Sequence, residues 1–178
     1  MAEDYSVHPT AEVSAGAKIG SRTKIWHQAQ VREKVRIGSD CIIGKGAYID
    51  ASVSIGDKCK VQNYACVYQG VTIGNEVFIG PHATFTNDFY PRANNPGWKI
   101  AGTIVEDGAS IGANATIVCG IKIGRCAMVG AGSVVTKDVP PHALVYGNPA
   151  TIHGHVCKCG TRLQQETGPF VCGECAKK

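Results

Sequence analysis

The sequence has few aromatic residues, few charges and no long hydrophobic run. Aromatic residues make up 7% of the 178 residues, and charged residues make up 18%. No apolar stretch is long enough for a spanning helix or a secretory signal, so we expect a cytoplasmic protein that does not insert into a membrane. The formal net charge of +4 is spread along the chain. This favours small anionic ligands over nucleic acid but does not exclude a bound polyanion.

The nine cysteines are not spaced like those of a disulfide scaffold. Five are scattered through residues 41–126, and four lie between residues 157 and 175. Both groups fit a reducing compartment.

The sequence does contain a six-residue repeat. A Val, Ile or Phe occupies every sixth position from Val13 to Phe85, and the series resumes from Val105 to Val135. A compact residue such as Ala17 lies four positions after the apolar one. Residues 85 and 105 are 20 positions apart, which is not a multiple of six, so residues 86–104 must leave the body as a loop.

A period of six fits neither an α-helix nor one long strand. It fits a coil of three short parallel strands whose β-branched side chains point to a common axis. Roughly six turns at about 4.8 Å each would give a prism about 29 Å tall. We therefore expect Val13, Val31, Ile49 and Val67 to share one interior column. Glycine often follows the apolar residue, and we expect it there to relax the backbone at the corners.

Residues 8–150 resemble the left-handed β-helix hexapeptide acyltransferases. The segments VQNYACVY, GPHATFTNDFYPR, IGANATIVCG and VGAGSVVTKDVPPHALVYGNPA are most similar to N-acetyltransferases that acylate 3-amino sugars on UDP or dTDP for glycan precursors. The resemblance implies an all-β, left-handed parallel β-helix. It also implies a homotrimer with active sites in clefts between neighbouring prisms.

The resemblance places the acceptor site in and near the loop. Asn87 occupies the position where the family binds the sugar beside its reacting amine. We expect Gln62 and Asn63, a little more than one coil earlier in the sequence, to border the same cleft. Asp88 and Arg92 would complete a polar wall, since the planar guanidinium of arginine suits a phosphate or carboxylate. Alternatively, Asn87 and Asp88 are turn residues that bond their own backbone.

His82 is a candidate general base, because a neutral imidazole can accept the proton of an ammonium group. A corner histidine that only packs or meets solvent is an equal alternative. Relatives that acetylate hydroxyl groups carry a histidine where this chain has Phe89 and Tyr90, which favours an amine acceptor. An amine can attack the thioester directly, so no acyl-enzyme is needed, and we expect the five body cysteines to be structural.

Acetyl-coenzyme A is expected along the last two coils. The family sets the backbone of small residues 18 apart against the pantetheine arm, and Ala113 and Ala131 match those positions. Thr136 and Lys137 match the adenine and phosphate end, with Pro140 as a rigid wall. This chain has threonine where many members have a basic residue after Pro-Ala, and Arg125 is a possible substitute.

Residues 151–178 form a cysteine-rich tail. Cys157, Cys159, Cys172 and Cys175 make two pairs separated by a hairpin-like stretch, a pattern typical of a structural zinc ribbon. The first pair is one residue tighter than the usual knuckle. A free-thiol or redox role is the alternative, and His153 or His155 are possible replacement ligands. We expect such a site to cap the open end of the prism or join the trimer contact.

Other functions remain in view. Carbonic anhydrases of the γ type share such a prism but need three histidines on a catalytic zinc, and the body histidines offer no such set. A non-catalytic scaffold would lack the coenzyme groove. The nearest alternative is an acetyltransferase for another amine or for a hydroxyl acceptor.

Overall fold

The computed structural model of the protein describes residues 4–164 and 168–177. Within those residues it contains 23 short β-strands and one four-residue helix, α1 (Gly173–Ala176). Most strands have two residues, because the chain turns a corner before each new hexad. Among the described residues, no helix has the length and apolar character needed to cross a membrane.

Three sheets, named A, B and C here, form the faces of a prism, and the chain visits them in turn. Sheet A contains β1 (Ser6–Val7), β4 (Lys24–Ile25), β7 (Ile42–Ile43), β10 (Lys60–Val61), β13 (Phe78–Ile79), β16 (Ser110–Ile111), β19 (Met128–Val129), β21 (Ala143–Gly147), β22 (Ala150–Val156) and β23 (Arg162–Leu163). Sheet B contains β2 (Glu12–Val13), β5 (Gln30–Val31), β8 (Tyr48–Ile49), β11 (Cys66–Val67), β14 (Thr84–Phe85), β17 (Thr116–Ile117) and β20 (Val134–Val135). Sheet C contains β3 (Lys18–Ile19), β6 (Arg36–Ile37), β9 (Ser54–Ile55), β12 (Val71–Ile73), β15 (Thr103–Val105) and β18 (Lys122–Ile123).

The repeat positions build the interior. Val13 pairs with Val31, Val31 with Ile49, and Ile49 with Val67 in successive parallel strands of sheet B, which confirms the predicted column. Ile49 and Val67 are fully buried, as is the compact position represented by Ala47. Burial of such apolar columns, at roughly 25 cal/mol per Å² removed from water, is the main force that holds the coils together.

The prism has more coils than the six expected. Sheet A contains eight parallel coil strands, from β1 to β21. The additional coils lie at the two ends, where Val7 pairs with Ile25 and Val145 pairs with Val129. The expected number was too low because it counted only the uninterrupted hexads. The coil also begins at Ser6, two residues before the predicted boundary at residue 8.

The glycines that follow the apolar residues serve a different purpose from the one expected. Their backbones are not left-handed; the left-handed residue at each corner lies two positions later, as at Gly46 and His82. Glycine is needed instead because adjacent coils approach closely. A Cβ on Gly80 would lie 2.6 Å from the amide nitrogen of Ala113, and one on Gly44 would lie 2.7 Å from that of Asn63.

The loop leaves the prism after β14 and rejoins it at β15. It therefore covers residues 86–102 rather than the predicted 86–104, because Thr103 and Ile104 already pair with Val71 and Thr72. Thr84 in β14 pairs with the next strand of sheet B, β17, even though the loop lies between the two strands in sequence. The interruption thus lengthens one coil without breaking its ladder.

The tail extends sheet A at the last coil. β22 runs antiparallel to β21, and β23 runs antiparallel to β22. β22 therefore covers the edge of β21 that would otherwise be left without a partner. The next turn carries Cys157 and Gly160 back toward the outer face of sheet A, where a Cβ on Gly160 would lie 3.2 Å from the Met128 side chain.

Candidate active site along the edges of the prism

The candidate residues lie on three edges of the prism, each named for the sheets it joins. Coils are counted from 1, the coil that contains β1. The residues on edge AB are Gln62, Asn63, His82, Ala113 and Ala131. The residues on edge BC are Asn87, Asp88, Arg92, Thr136 and Lys137. The residues on edge CA are Arg125 and Pro140.

Edge AB brings acceptor and coenzyme candidates together in consecutive coils. The His82 amide donates to the Asn63 carbonyl one coil below at 3.0 Å. The Asn114 amide donates to the Pro81 carbonyl at 2.9 Å, and the Gly132 amide donates to the Ala113 carbonyl at 2.8 Å. Coils 4 to 7 are therefore in vertical register along this edge, with the acceptor candidates directly below Ala113 and Ala131.

Edge CA shows how a corner amide is normally satisfied in this prism. The Ser39 amide donates to Oδ1 of Asp57 one coil above at 2.7 Å, and the Asp57 amide donates to Oδ1 of Asn75 at 2.8 Å. The Asn75 amide in turn donates to Oδ1 of Asp107 at 2.7 Å. In three successive coils, an Asp or Asn at this position thus caps the N–H group of the coil below it.

Edge AB lacks these caps at the level of the candidate site. The Lys45 amide donates to Oδ1 of Asn63 at 3.0 Å, but above Asn63 the equivalent residues are Pro81, Ala113 and Ala131, whose side chains accept no hydrogen bond. Within the described part of the chain, the amide nitrogens of Asn63, Ala113 and Ala131 have no hydrogen-bond partner. Three N–H donors on one edge are therefore free to bind a ligand carbonyl or an oxyanion.

His82 occupies the left-handed corner position of coil 5, with φ 58°, and its side chain is exposed. Its ring stacks on Tyr64 with centroids 5.2 Å apart. Tyr64 in turn covers Gly46, where a Cβ would collide with the phenol ring. Sequence analysis missed Tyr64, which can be found from its place one coil before His82. The stack holds the imidazole at the surface of edge AB.

Asn87, Asp88 and Arg92 lie on edge BC, at the start of the loop. Nδ2 of Asn87 donates to the Gln69 carbonyl at 3.3 Å, and the Asn87 carbonyl accepts from the Ala101 amide at 3.0 Å. The Asp88 carboxylate accepts from the Tyr90 amide at 2.8 Å, the self-bonding turn that was the alternative reading of this residue. Asn87 thus ties the loop to the prism, with its side chain half-buried.

Within one chain, Asn87 does not share a cleft with Gln62 and Asn63. The expectation rested on a separation of just over one coil in the sequence. Each coil passes all three faces in turn. Asn87 lies one full coil plus several residues after Asn63, and those additional residues include β14 of sheet B, so Asn87 lies on the next edge. Sheet B therefore lies between the two groups.

A partly buried polar network supports Asn87 from below. Oδ2 of Asp50 accepts from the Gln69 amide at 3.1 Å, and Oδ1 accepts from the Tyr48 hydroxyl at 3.0 Å. Partial burial alone would raise the pKa of the Asp50 carboxyl, but hydrogen bonds from the amides of Ala51 and Gln69 lower that pKa. Sequence analysis did not single out Asp50. Its position about one coil before Gln69 could have indicated that the two residues are neighbours.

Thr136 and Lys137 line a cavity of about 340 Å³ at the open end of the prism, together with Val135, Pro149 and Ile152. Arg125 and Pro140 belong to edge CA. The structure therefore does not bring these two residues to Ala113 and Ala131. The Arg125 amide donates to Oε2 of Glu106 at 2.8 Å instead.

The four tail cysteines converge as predicted. Their sulfur atoms all lie within 4.8 Å of one another, and Cys159 Sγ is 3.5 Å from Cys172 Sγ. A tetrahedral zinc with Zn–S bonds of about 2.3 Å needs sulfurs roughly 3.8 Å apart, so the donor set fits the ion. A hydrogen bond from Thr161 lowers the pKa of the Cys159 thiol to about 6, which favours the thiolate that a metal requires.

The histidines of the tail have other partners. His153 stacks on Tyr146 with centroids 3.6 Å apart, and His155 stacks on Phe170 at 4.4 Å. The cluster of four thiols is therefore complete without a histidine ligand. Cys41 and Cys59, by contrast, are buried inside the prism, where neither reaches a substrate.

Two family models match parts of the chain. Residues 1–85 match a model described as the GMPPB C-terminal domain, and residues 102–137 match one described as bacterial transferase hexapeptide (six repeats). Residues 86–101, between the two matches, contain all of the loop except its last residue. The model described as hexapeptide matches the coils that follow the loop.

Relatives of this chain are acetyltransferases. The chain is 50% identical over 176 residues, 99% of its length and 91% of the relative's, to dTDP-3-amino-3,6-dideoxy-alpha-D-galactopyranose 3-N-acetyltransferase of Aneurinibacillus thermoaerophilus. It is 44% identical, over 92% of its length and 70% of the relative's, to 2,3,4,5-tetrahydropyridine-2,6-dicarboxylate N-acetyltransferase of Brevibacillus brevis. It also resembles a variant of perosamine N-acetyltransferase from Caulobacter crescentus, solved with CoA and GDP-perosamine, at a TM-score of 0.54 and 26% identity over 84% of this chain and 56% of that one. With this prism, these free edge amides and these relatives, the chain belongs to the hexapeptide-repeat acyltransferases, among the N-acetyltransferases of that family.

Proposed function

We propose that the protein transfers the acetyl group of acetyl-CoA to the amine of a UDP- or dTDP-linked 3-amino sugar. One observation carries the proposal: on edge AB, Gln62, Asn63 and His82 lie directly below Ala113 and Ala131, whose amides are free. An acceptor bound at the lower residues would lie beside a pantetheine arm bound at the free amides. The 50% identical relative, named for N-acetylation of a dTDP-linked amino sugar, supports the same substrate class.

The free amides suit the coenzyme. The pantetheine arm carries two amide groups of its own, and its carbonyls accept from N–H donors such as those of Ala113 and Ala131. The small side chains let the arm approach the backbone. Lys137, which is exposed at the far end of the prism, would then meet the phosphates of a coenzyme bound between two neighbouring copies.

The reaction follows from this placement as direct transfer. The neutral amine attacks the thioester carbonyl carbon, the new C–N bond forms, the C–S bond breaks, and the departing thiolate takes up the proton that the amine loses. In this proposal, His82 would accept that proton first and pass it on. A free N–H donor of edge AB would stabilise the oxyanion.

Asn87, Asp88 and Arg92 enter this site only from a second chain, because sheet B separates them from edge AB within one chain. We therefore propose a homotrimer in which edge BC of one copy faces edge AB of the next. The exposed aromatic side chains of the loop, Phe89, Tyr90 and Trp98, support this contact. Arg92, also exposed, would then reach the nucleotide or a carboxylate of the acceptor.

The substrate is tested by measuring thiol release from acetyl-CoA across a panel of UDP- and dTDP-linked amino sugars, with free amino sugars and a galactoside as comparison acceptors. We expect turnover with at least one nucleotide-linked 3-amino sugar and none with the galactoside. Turnover with the hydroxyl acceptor alone would refute the proposal.

The composite site is tested by complementation. Asn87→Ala and Ala131→Tyr should each be inactive, the second because its ring occupies the pantetheine path. Mixed trimers refolded from the two variants should regain activity, since some interfaces then combine two intact edges. No recovery in trimers of confirmed mixed composition, or a mass of one 18.7 kDa chain in light scattering, would refute the composite site.

We also propose that Cys157, Cys159, Cys172 and Cys175 hold a structural zinc ion. The ion would fasten the tail against the outer face of sheet A near Met128, and would take no part in the transfer. The proposed reaction would take place in the reducing interior of a cell. Thiols stay reduced in that compartment, so the four cysteines would be free to bind a metal.

A further inference from the structure

A groove of about 510 Å³ runs along edge AB below the proposed amine site. The residues that line it include Trp26, His27, Lys45, Lys60, Gln62 and Asn63. Gln62 and Asn63 are shared with the proposed acceptor site, so the groove opens directly from it. Trp26, His27, Lys45 and Lys60 have no role in the transfer described above.

The lower end of the groove has an aromatic wall. Trp26 is 46% exposed, although tryptophan usually buries most of its surface. Its ring is nearly parallel to that of His27, at 10° and 6.0 Å between centroids, and His27 stacks on His8 at 3.5 Å. The three rings hold one another in fixed planes and leave the indole available to a flat ligand.

The middle of the groove is positively charged. Lys45 and Lys60 are both exposed, and none of the described residues that line the groove is acidic. Asn63 fixes the backbone of Lys45 through the 3.0 Å bond to its amide, and Nζ of Lys45 lies 6.0 Å from the centre of the Tyr64 ring. Lys45 belongs to coil 3 and Lys60 to coil 4, beside Gln62, and neither forms an ion pair with a described residue. Two such ammonium groups above the aromatic wall suit a pair of phosphates.

The spacing along the edge matches a nucleotide sugar. The Gly46 amide bonds the His27 carbonyl at 2.9 Å and the Tyr64 amide bonds the Lys45 carbonyl at 2.8 Å, so coils 2, 3 and 4 are in register. Trp26 and His27 thus lie two coils, about 10 Å, below Gln62 and Asn63. The two phosphates of a nucleotide sugar separate its base from its sugar by a similar length.

We propose that this groove is the nucleoside-diphosphate subsite of the acceptor, with the base stacked on Trp26 and His27 and the diphosphate bound by Lys45 and Lys60. The proposal rests on the proposed function for the identity of the ligand. The coenzyme also carries an adenine and a diphosphate, but its expected path lies along Ala113 and Ala131, on the opposite side of the amine site. The groove therefore belongs to the acceptor.

The test uses the small number of tryptophans. The chain has two, so a Trp98→Phe variant leaves Trp26 as the sole indole. Titration of this variant with dTDP or UDP should quench its fluorescence, whereas inorganic pyrophosphate should bind without quenching and thymidine should bind weakly. By calorimetry, Trp26→Leu or Lys45→Gln should each raise the Kd of dTDP by about tenfold or more. Lys18→Gln, on sheet C, should leave it unchanged.

The outcomes separate this proposal from the proposed function. Acetyl transfer to an amino-sugar nucleotide without quenching of Trp26, or an unchanged Kd in both groove variants, would overturn the subsite and leave the transferase intact. Quenching without transfer to any amino sugar would support the subsite and count against the proposed function. Adenosine 3′,5′-bisphosphate that quenches Trp26 more tightly than dTDP would assign the groove to the coenzyme and overturn the proposal.

Discussion

The spacing between coils at edge AB can be perturbed by one methyl group. In a Gly80→Ala variant, the new Cβ would lie 2.6 Å from the Ala113 amide nitrogen and 2.7 Å from the Gly112 carbonyl carbon, and real Cβ contacts essentially never fall below 3.0 Å. Coils 5 and 6 must therefore separate by a few tenths of an ångström. This stretches the 2.8 Å bond from the Gly80 amide to the Ile111 carbonyl.

The expected loss of stability in the Gly80→Ala variant follows from those distances. Overpacking against backbone costs about 1–3 kcal/mol, offset by about 0.4–1 kcal/mol from the lower entropy of the unfolded alanine chain. A net loss of about 1–2 kcal/mol should lower the Tm by roughly 2–8 °C in a chain of this size. Because the Ala113 amide also moves, we expect CoA affinity to fall by about tenfold, the equivalent of one hydrogen bond.

The assay compares thermal unfolding and CoA calorimetry at one protein concentration, since an oligomer makes the Tm concentration-dependent. Gly16→Ala is the matched control: its Cβ would have its nearest neighbour, the Lys34 amide nitrogen, at an ordinary 3.8 Å. We expect this control to melt at or slightly above the native temperature. Equal Tm values for the two alanine variants would refute the reasoning that glycine serves close approach on this edge.

Other substitutions test the individual assignments. Asn87→Ala should depress turnover far more than it weakens CoA binding, and Lys137→Ala should do the opposite; steady-state kinetics and calorimetry compare them. Asp50→Asn should lower stability at pH 7, and because the folded pKa of Asp50 is depressed, the difference in denaturant midpoint should shrink as the pH falls below the unfolded value of roughly 3.9. Protein purified without chelator should contain about one zinc per chain by elemental analysis, and Cys172→Ala should lose it and destabilise the tail.

The fold was predictable because the hexad acts on every coil at once. Val31, Ile49 and Val67 each make the same inward contact, so one error in the pattern does not change the result. The cysteine cluster was predictable for a related reason, since two close pairs separated by a short stretch of sequence have few ways to converge. The ends were harder, because Val7 and Val145 lie where the repeat has few neighbours to confirm it.

The edge on which a residue lies was harder to predict than the fold. The number of whole coils between two residues gives their difference in height along the prism. The residues left over after those whole coils decide the edge. Between Gln62 and Asn87, the residues left over move Asn87 to another edge. The loop also lengthens one coil, so Pro81 and Ala113 become vertical neighbours although the whole loop separates them in sequence. Only the strand register supplies that offset.

The caps on edge CA give a way to identify the binding edge, and one substitution tests it. Asn75 caps the Asp57 amide at 2.8 Å, and Ala131 is the equivalent residue above Ala113. Ala131→Asn should therefore cap the Ala113 amide and stabilise the protein by about 1 kcal/mol relative to Ala131→Leu, a side chain of similar size without an acceptor. Both should block CoA.

The decisive comparison is the exchange of the Ala113 amide proton with solvent, measured by NMR. In the native protein it should exchange fast and become protected when CoA binds; in Ala131→Asn it should be protected without CoA, and in Ala131→Leu it should stay fast. Equal exchange in the two variants would mean that an uncapped corner amide is not what distinguishes edge AB. The coenzyme would then have to be recognised by something other than the backbone that Ala113 and Ala131 leave exposed.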